Sequence, residues 1–171
     1  MTDISKEALV KQLKTNKPQV KEVIANYITD ENIKAPAMHF VEWLSASSSP
    51  PSWMDLDEQH AIAWEVQYKG KKHFIVYNGN DLSIMVKASF TSEYQAIISA
   101  NNMQNKVMDN LQYCSRASGG QCSGCSLPAD VAGVDEVLFG KEIKNLCCGQ
   151  FITFDNPNSE AIAGIKKLLE Y

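Results

Sequence analysis

A length of 171 residues leaves room for one domain, or one domain with a small appendage, at a prior of ~150 residues per domain, and excludes a large multidomain machine. Hydrophobic residues at 44% and charged residues at 21% match folded soluble domains, which excludes a disordered chain. A balance of 16 Lys+Arg against 20 Asp+Glu gives a net charge of −4, and the single arginine is Arg116; both argue against nucleic acid, whose binding is largely electrostatic.

The first region, residues 1–46, reads as helical. Ser5 to Lys14 carries Ala8, Leu9 and Leu13, and Val20, Val23, Ile24, Tyr27 and Ile28 recur at the spacing of one helix face behind Pro18. Ala37, Phe40, Val41 and Leu44 repeat the pattern after Pro36. Three short helices suggest a helix-turn-helix unit, but 6 lysines, 6 acids and no arginine favour packing over DNA reading. These first residues alternate charged with apolar positions instead of forming a signal core, and no run of ~18 apolar residues follows. The expected location is cytoplasmic, with no membrane contact.

Residues 47–60 read as a linker, because Ser45-Ala46-Ser47-Ser48-Ser49-Pro50-Pro51-Ser52 is small, polar and proline-bearing. Residues 61–171 then form an α+β domain. Ile62, Trp64, Val66 and Tyr68 alternate with Ala63, Glu65, Gln67 and Lys69, the period of a half-buried strand. A turn at Lys69-Gly70-Lys71 leads to a second strand, His73 to Tyr77. Asn78-Gly79 tolerates the positive φ of a tight hairpin, and Leu82, Ile84 and Val86 mark a third strand. Such a three-stranded antiparallel meander needs a cover, which the spacing assigns to a helix at about 92–112, opened by a capping box from Ser92 to Gln95. Residues 114–149 read as irregular, apart from an apolar run at Val137-Leu138-Phe139. A last helix follows Asp155-Asn156-Pro157, with Asn156 as its cap. The expected class is α+β.

All 5 cysteines, Cys114, Cys122, Cys125, Cys147 and Cys148, lie between 114 and 148. A chain of this size needs no disulfide framework, and clustered thiols in a reducing compartment hold metal or do redox work. Cys122-Ser123-Gly124-Cys125 has the gap that lets two thiolates reach one ion, with Gly124 permitting the turn. Cys114 supplies a third sulfur, and one of Cys147 or Cys148 a fourth, since adjacent side chains diverge. A closed four-sulfur site suits structural Zn²⁺, which leaves no open position for chemistry. Two other readings stay open at this stage. Cys122 and Cys125 also suit a thiol-disulfide or redox-sensing protein, although no long helix follows Cys125 to lower a thiol pKa. Unligated cysteines packed as small hydrophobes are the third reading.

The three histidines, His39, His60 and His73, are widely separated and favour structural roles, with His60 or His73 able to replace a cysteine at the metal. Signatures of nucleophilic, phosphate-binding or dinucleotide-binding sites are absent, so no catalytic and no cofactor-binding residue is assigned. The aromatics around Trp53 and Trp64 suit a core, or the wall of an apolar pocket in a small-ligand sensor.

The strand Trp64-Glu65-Val66-Gln67-Tyr68-Lys69-Gly70-Lys71-Lys72, the cysteine cluster, Phe139-Gly140-Lys141-Glu142 with Cys147, and Phe154-Asp155-Asn156-Pro157 resemble a group of uncharacterised bacterial α+β proteins over about residues 60–170. The resemblance implies a shared architecture and a shared metal loop, with Cys147 the better match than Cys148, and carries over no catalytic residue. The function expected from the sequence is a binding or interaction protein, with a protein or small-molecule partner, built around structural zinc.

Overall fold

The computed structural model describes residues 5–54, 56, 60–120 and 132–171. The class is α+β, and the chain divides into two compact units: Met1–Val86 with Thr153–Tyr171, and Lys87–Ile152. Among the described residues, no helix is long and apolar enough to cross a membrane.

The first unit opens with α1 (Lys6–Asn16), α2 (Val20–Tyr27) and α3 (Glu31–Ser47). Ser5 and Asp30 cap α1 and α3 by accepting the backbone N–H of Ala8 and Asn32, satisfying donors the first helical turn leaves over. Pro36 lies inside α3 instead of opening it. The Asp30 cap starts the helix at Glu31, so the proline falls early in a helix that continues through it to Ser47.

Strands β1 (Ser52–Met54), β2 (Ile62–Tyr68), β3 (Lys71–Tyr77), β4 (Leu82–Lys87) and β7 (Phe151–Asp155) form one sheet in the order β1-β2-β3-β4-β7. The sheet is therefore wider than the three strands apparent in the sequence. β1 sits inside the expected linker and pairs antiparallel with β2, Trp53 opposite Trp64; three residues are too few to show a period. β2, β3 and β4 pair antiparallel in succession, with Trp64 opposite Ile75 and Ile75 opposite Ile84. That register gathers Ile62, Trp64, Val66, Ile75, Tyr77, Leu82 and Ile84 on one buried face. Within this unit α1 touches β2, while α3 packs on α2 and on α6 (Ser159–Glu170). Trp43 of α3 stacks on Tyr68 of β2 at 5.2 Å, and the Lys166 ammonium of α6 sits 5.3 Å over the Trp43 ring.

Asn156 differs from its expected role. Asn158 caps α6, accepting the Ala161 N–H at 2.9 Å. Asn156 takes a left-handed φ of 46° and ties the end of β7 to the start of β4: its Oδ1 accepts the Leu82 N–H at 2.9 Å and its Nδ2 donates to Asp81 at 2.6 Å. Asparagine tolerates that backbone region better than other non-glycine residues. Asn156→Ala loses both bonds and meets the left-handed penalty, an expected cost of about 2–3 kcal/mol in a urea unfolding curve. Asn156→Gly keeps the backbone freedom and should recover part of that loss.

The second unit contains α4 (Ser92–Ala100), α5 (Gln104–Asp109), a 3-10 turn at Arg116–Ser118, and the strands β5 (Val134–Leu138) and β6 (Lys141–Leu146). The single helix expected over 92–112 is broken at Asn101–Met103, where Asn102 has φ 55°. Thr91 caps α4 by accepting the Tyr94 N–H, so the cap lies one residue ahead of Ser92. Gln95, expected in a capping box, instead donates to the Phe90 and Val137 carbonyls and accepts from the Phe139 N–H. β5 and β6 pair antiparallel inside the stretch read as irregular, turning through Phe139 and Gly140, both at positive φ. Phenylalanine is uncommon at such a position, and the strands' charged, exposed residues hide the two-residue period.

Candidate metal centre

The turn that follows α5 brings the chain alongside β6. Tyr113 bridges antiparallel to Leu146, with the Cys114 N–H donating to the Asn145 carbonyl at 2.6 Å and the Cys147 N–H to the Gln112 carbonyl at 2.8 Å. In that register Cys114 lies opposite Asn145 and Cys147 opposite Gln112. Cys114 and Cys147 thus flank this one bridge, and Asn145 at φ 57° interrupts the regular alternation beside it.

Buried polar contacts hold this ladder. Gln150 is 5% exposed, and its side-chain amide accepts the Gln112 N–H at 3.0 Å while donating to the Gln112 carbonyl. Asn145, at φ 57°, marks an irregularity in β6, and its N–H donates to Asp135 at 2.9 Å. Gly133, at φ 83°, packs so closely that a Cβ would stand 3.3 Å from the Cys114 Cβ and 3.2 Å from the Asn145 Cα. Gly120, whose N–H donates to the Ser115 carbonyl at 2.7 Å, closes on the same segment.

Cys122 and Cys125 lie outside the described residues. Cys114 is buried, Cys147 half-buried and Cys148 exposed. The Cys147 Sγ accepts the Gly149 N–H at 3.4 Å. Among the described residues, no group of three or more His, Cys, Asp or Glu side chains is gathered as a metal site. The ladder thus brings two of the proposed ligands to adjoining positions. Gln150 and Gly133, which support it, carried no sequence signal, because a lone Gln or Gly announces neither a clamp nor a close approach.

The histidines are dispersed. His39 and His60 are exposed, with His60 3.9 Å from the Glu7 carboxylate. His73 lies in β3 opposite Val66 and is 3% exposed. Burial pushes its pKa from 6.5 down to about 4; the charge of Lys71 adds to the shift and a backbone hydrogen bond at Tyr68 opposes it. The folded protein therefore holds His73 neutral down to about pH 4, while the unfolded chain takes up a proton near pH 6.5. Its contribution is complete above 6.5 and declines as pH falls toward 4, by up to about 2–3 kcal/mol. His73→Phe should flatten that part of the stability–pH curve, measured by urea titration at pH 4.5 and 7; an unchanged slope would contradict the assignment.

Trp53 and Trp64 meet edge to face at 5.9 Å. Trp64 is 1% exposed and its indole N–H donates to the Pro18 carbonyl at 3.0 Å, so the side chain is occupied by the core. A cavity of about 520 Å³ has Ser5, Glu7, Ala8, Lys11, Lys14 and His60 among its lining residues.

No protein-family model, curated protein or solved structure matches the chain.

Proposed function

We propose that this chain is a cytoplasmic binding or interaction protein in which structural Zn²⁺ organises the unit Lys87–Ile152, through Cys114, Cys122, Cys125 and one of Cys147 or Cys148. What supports the reading is the register that sets Cys114 and Cys147 on adjoining positions of one ladder, although more than thirty residues of chain separate them. The composition of the unit agrees with it. Its buried apolar residues among those described are few, chiefly Tyr94, Ile98, Val107, Leu138, Leu146 and Ile152. Cores of this size seldom hold a domain without a metal or a disulfide. The net charge of −4 makes a protein or small molecule a better partner than nucleic acid.

Elemental analysis of protein purified without chelator tests the proposal. The expected result is about one zinc per chain, lost on Cys122→Ser or Cys125→Ser. Metal-free protein carrying a reversible Cys122–Cys125 disulfide would replace this reading with the redox one.

A further inference from the structure

The hairpin between β3 and β4 closes through Asn78-Gly79-Asn80-Asp81, and no other asparagine of the sequence precedes a glycine. Gly79 takes φ 94°, which glycine reaches without penalty, and a Cβ on it would stand 3.2 Å from the Lys6 Cβ of α1. The Asn78 N–H donates to the Asp81 carbonyl at 3.2 Å. In return the exposed Asn78 side chain does the work of a backbone carbonyl: its Oδ1 accepts the Asp81 N–H at 2.8 Å and the Asn80 N–H at 3.1 Å. The Asn78 Nδ2 donates to one oxygen of Asp81 at 3.4 Å, and the other oxygen accepts from the Asn156 Nδ2 at 2.6 Å. Asp81 therefore joins the turn to the residue that ties β7 to β4.

An asparagine followed by glycine is an electrophile beside its own nucleophile. With no side chain on the following residue, the Gly79 nitrogen meets the least steric resistance in attacking the Asn78 Cγ. Two N–H donors on Oδ1 stabilise the negative charge that gathers there during attack. The Gly79 N–Cγ bond forms and the Cγ–Nδ2 bond breaks. The Gly79 amide proton ends on Nδ2, which leaves as ammonia, and the Asp81 carboxylate bonded to Nδ2 is placed to relay that proton. Water then opens the cyclic imide. Adding to Cγ and breaking its bond to nitrogen gives aspartate at position 78; adding to the backbone carbonyl carbon and breaking that C–N bond gives isoaspartate. The net change is ammonia lost and water gained, with no oxidation or reduction.

We infer that Asn78 is a deamidation site of the folded protein, and that its modification weakens the tie between the β3–β4 turn and the end of β7. The aspartate product replaces the Nδ2 donor by a second carboxylate oxygen, so a hydrogen bond to Asp81 becomes a like-charge contact. Asp81 passes that strain to Asn156, whose Oδ1 holds the Leu82 N–H at 2.9 Å. The isoaspartate product adds a methylene to the main chain at a turn already packed against Lys6.

The test ages the full-length protein in mildly alkaline, ammonia-free buffer, with circular dichroism verifying that it stays folded, and maps the products by peptide mass spectrometry and isoaspartate methylation. Position 78 should convert before any other asparagine, at a rate on the order of that in a synthetic peptide of residues 73–84. No conversion in the folded chain while the peptide converts overturns the site. In Asn78→Gln, whose longer side chain would have to close a larger ring, conversion of that peptide should vanish; its persistence places the chemistry elsewhere and equally overturns the site. Asn78→Asp, made directly, should raise the unfolded-to-folded ratio about 2- to 10-fold in a urea titration. In an Asp81→Asn background the same change should shift it less than about 2-fold, because the opposing charge is gone. Equal shifts in the two backgrounds, or none in either, overturn the coupling through Asp81. The ageing arm on the parent protein needs no variant to fold.

Discussion

If the proposed zinc is bound, removing it from the intact chain with a chelator is expected to unfold the Lys87–Ile152 unit while the other unit stays folded. The physical reason is the disparity between their cores. Among the described residues, the first unit buries Phe40, Leu44, Ile62, Trp64, Ile75, Tyr77, Leu82 and Ile84, whereas the second buries a smaller set, chiefly on two short helices and a hairpin. A small core supplies roughly 3–5 kcal/mol, whereas a structural zinc contributes on the order of 10 kcal/mol or more, so under the proposed zinc reading the second unit would depend on the ion. Hydrogen exchange read by mass spectrometry should show peptides from 87–152 losing protection by on the order of 100-fold or more on chelation. All three tryptophans, Trp43, Trp53 and Trp64, belong to the first unit, so their emission should stay constant in the same sample. Full protection of 87–152 after verified loss of metal would show that the unit needs no ion.

Trp64→Ala is expected to be the most damaging single change in the first unit. The side chain is fully buried, edge-on to Trp53 and opposite Ile75, and its indole N–H satisfies the Pro18 carbonyl that precedes α2. Truncation leaves a cavity and an orphaned carbonyl, together about 3–5 kcal/mol. Trp64→Phe keeps most of the apolar volume and loses only the hydrogen bond and part of the packing, so it should cost roughly half as much. Urea unfolding followed by far-ultraviolet circular dichroism separates the two. A loss below about 1 kcal/mol for Trp64→Ala would mean that the strand's buried face is not the core it forms here.

The strongly periodic elements were legible before any coordinates. Val20, Val23 and Ile24 line one face of α2. The alternation from Ile62 to Tyr68 becomes the buried side of β2, and Ile162, Ile165, Leu168 and Leu169 become that of α6. Weakly periodic pieces were not. β1 is three residues long, and β5 and β6 carry Asp135, Lys141, Glu142 and Lys144 on exposed positions. Two caps fell one or two residues from their expected places, because Thr91 and Asn158 had competitors of similar chemistry nearby.

The candidate site divides in the same way. Clustering and the two-residue gap between Cys122 and Cys125 are local properties, so the sequence alone determined that the thiols belong to one region of the chain. It also determined the class, because amphipathic periods of 3.6 and 2 both recur along the chain. Only the tertiary structure decided that the backbone around Cys114 pairs with the backbone around Cys147, since this depends on a register between segments far apart in the chain. It likewise decided that Gln150 and Gly133 surround that register. Backbone pairing and close packing are agreements between distant residues, and a single strand of letters records each partner without recording the pairing.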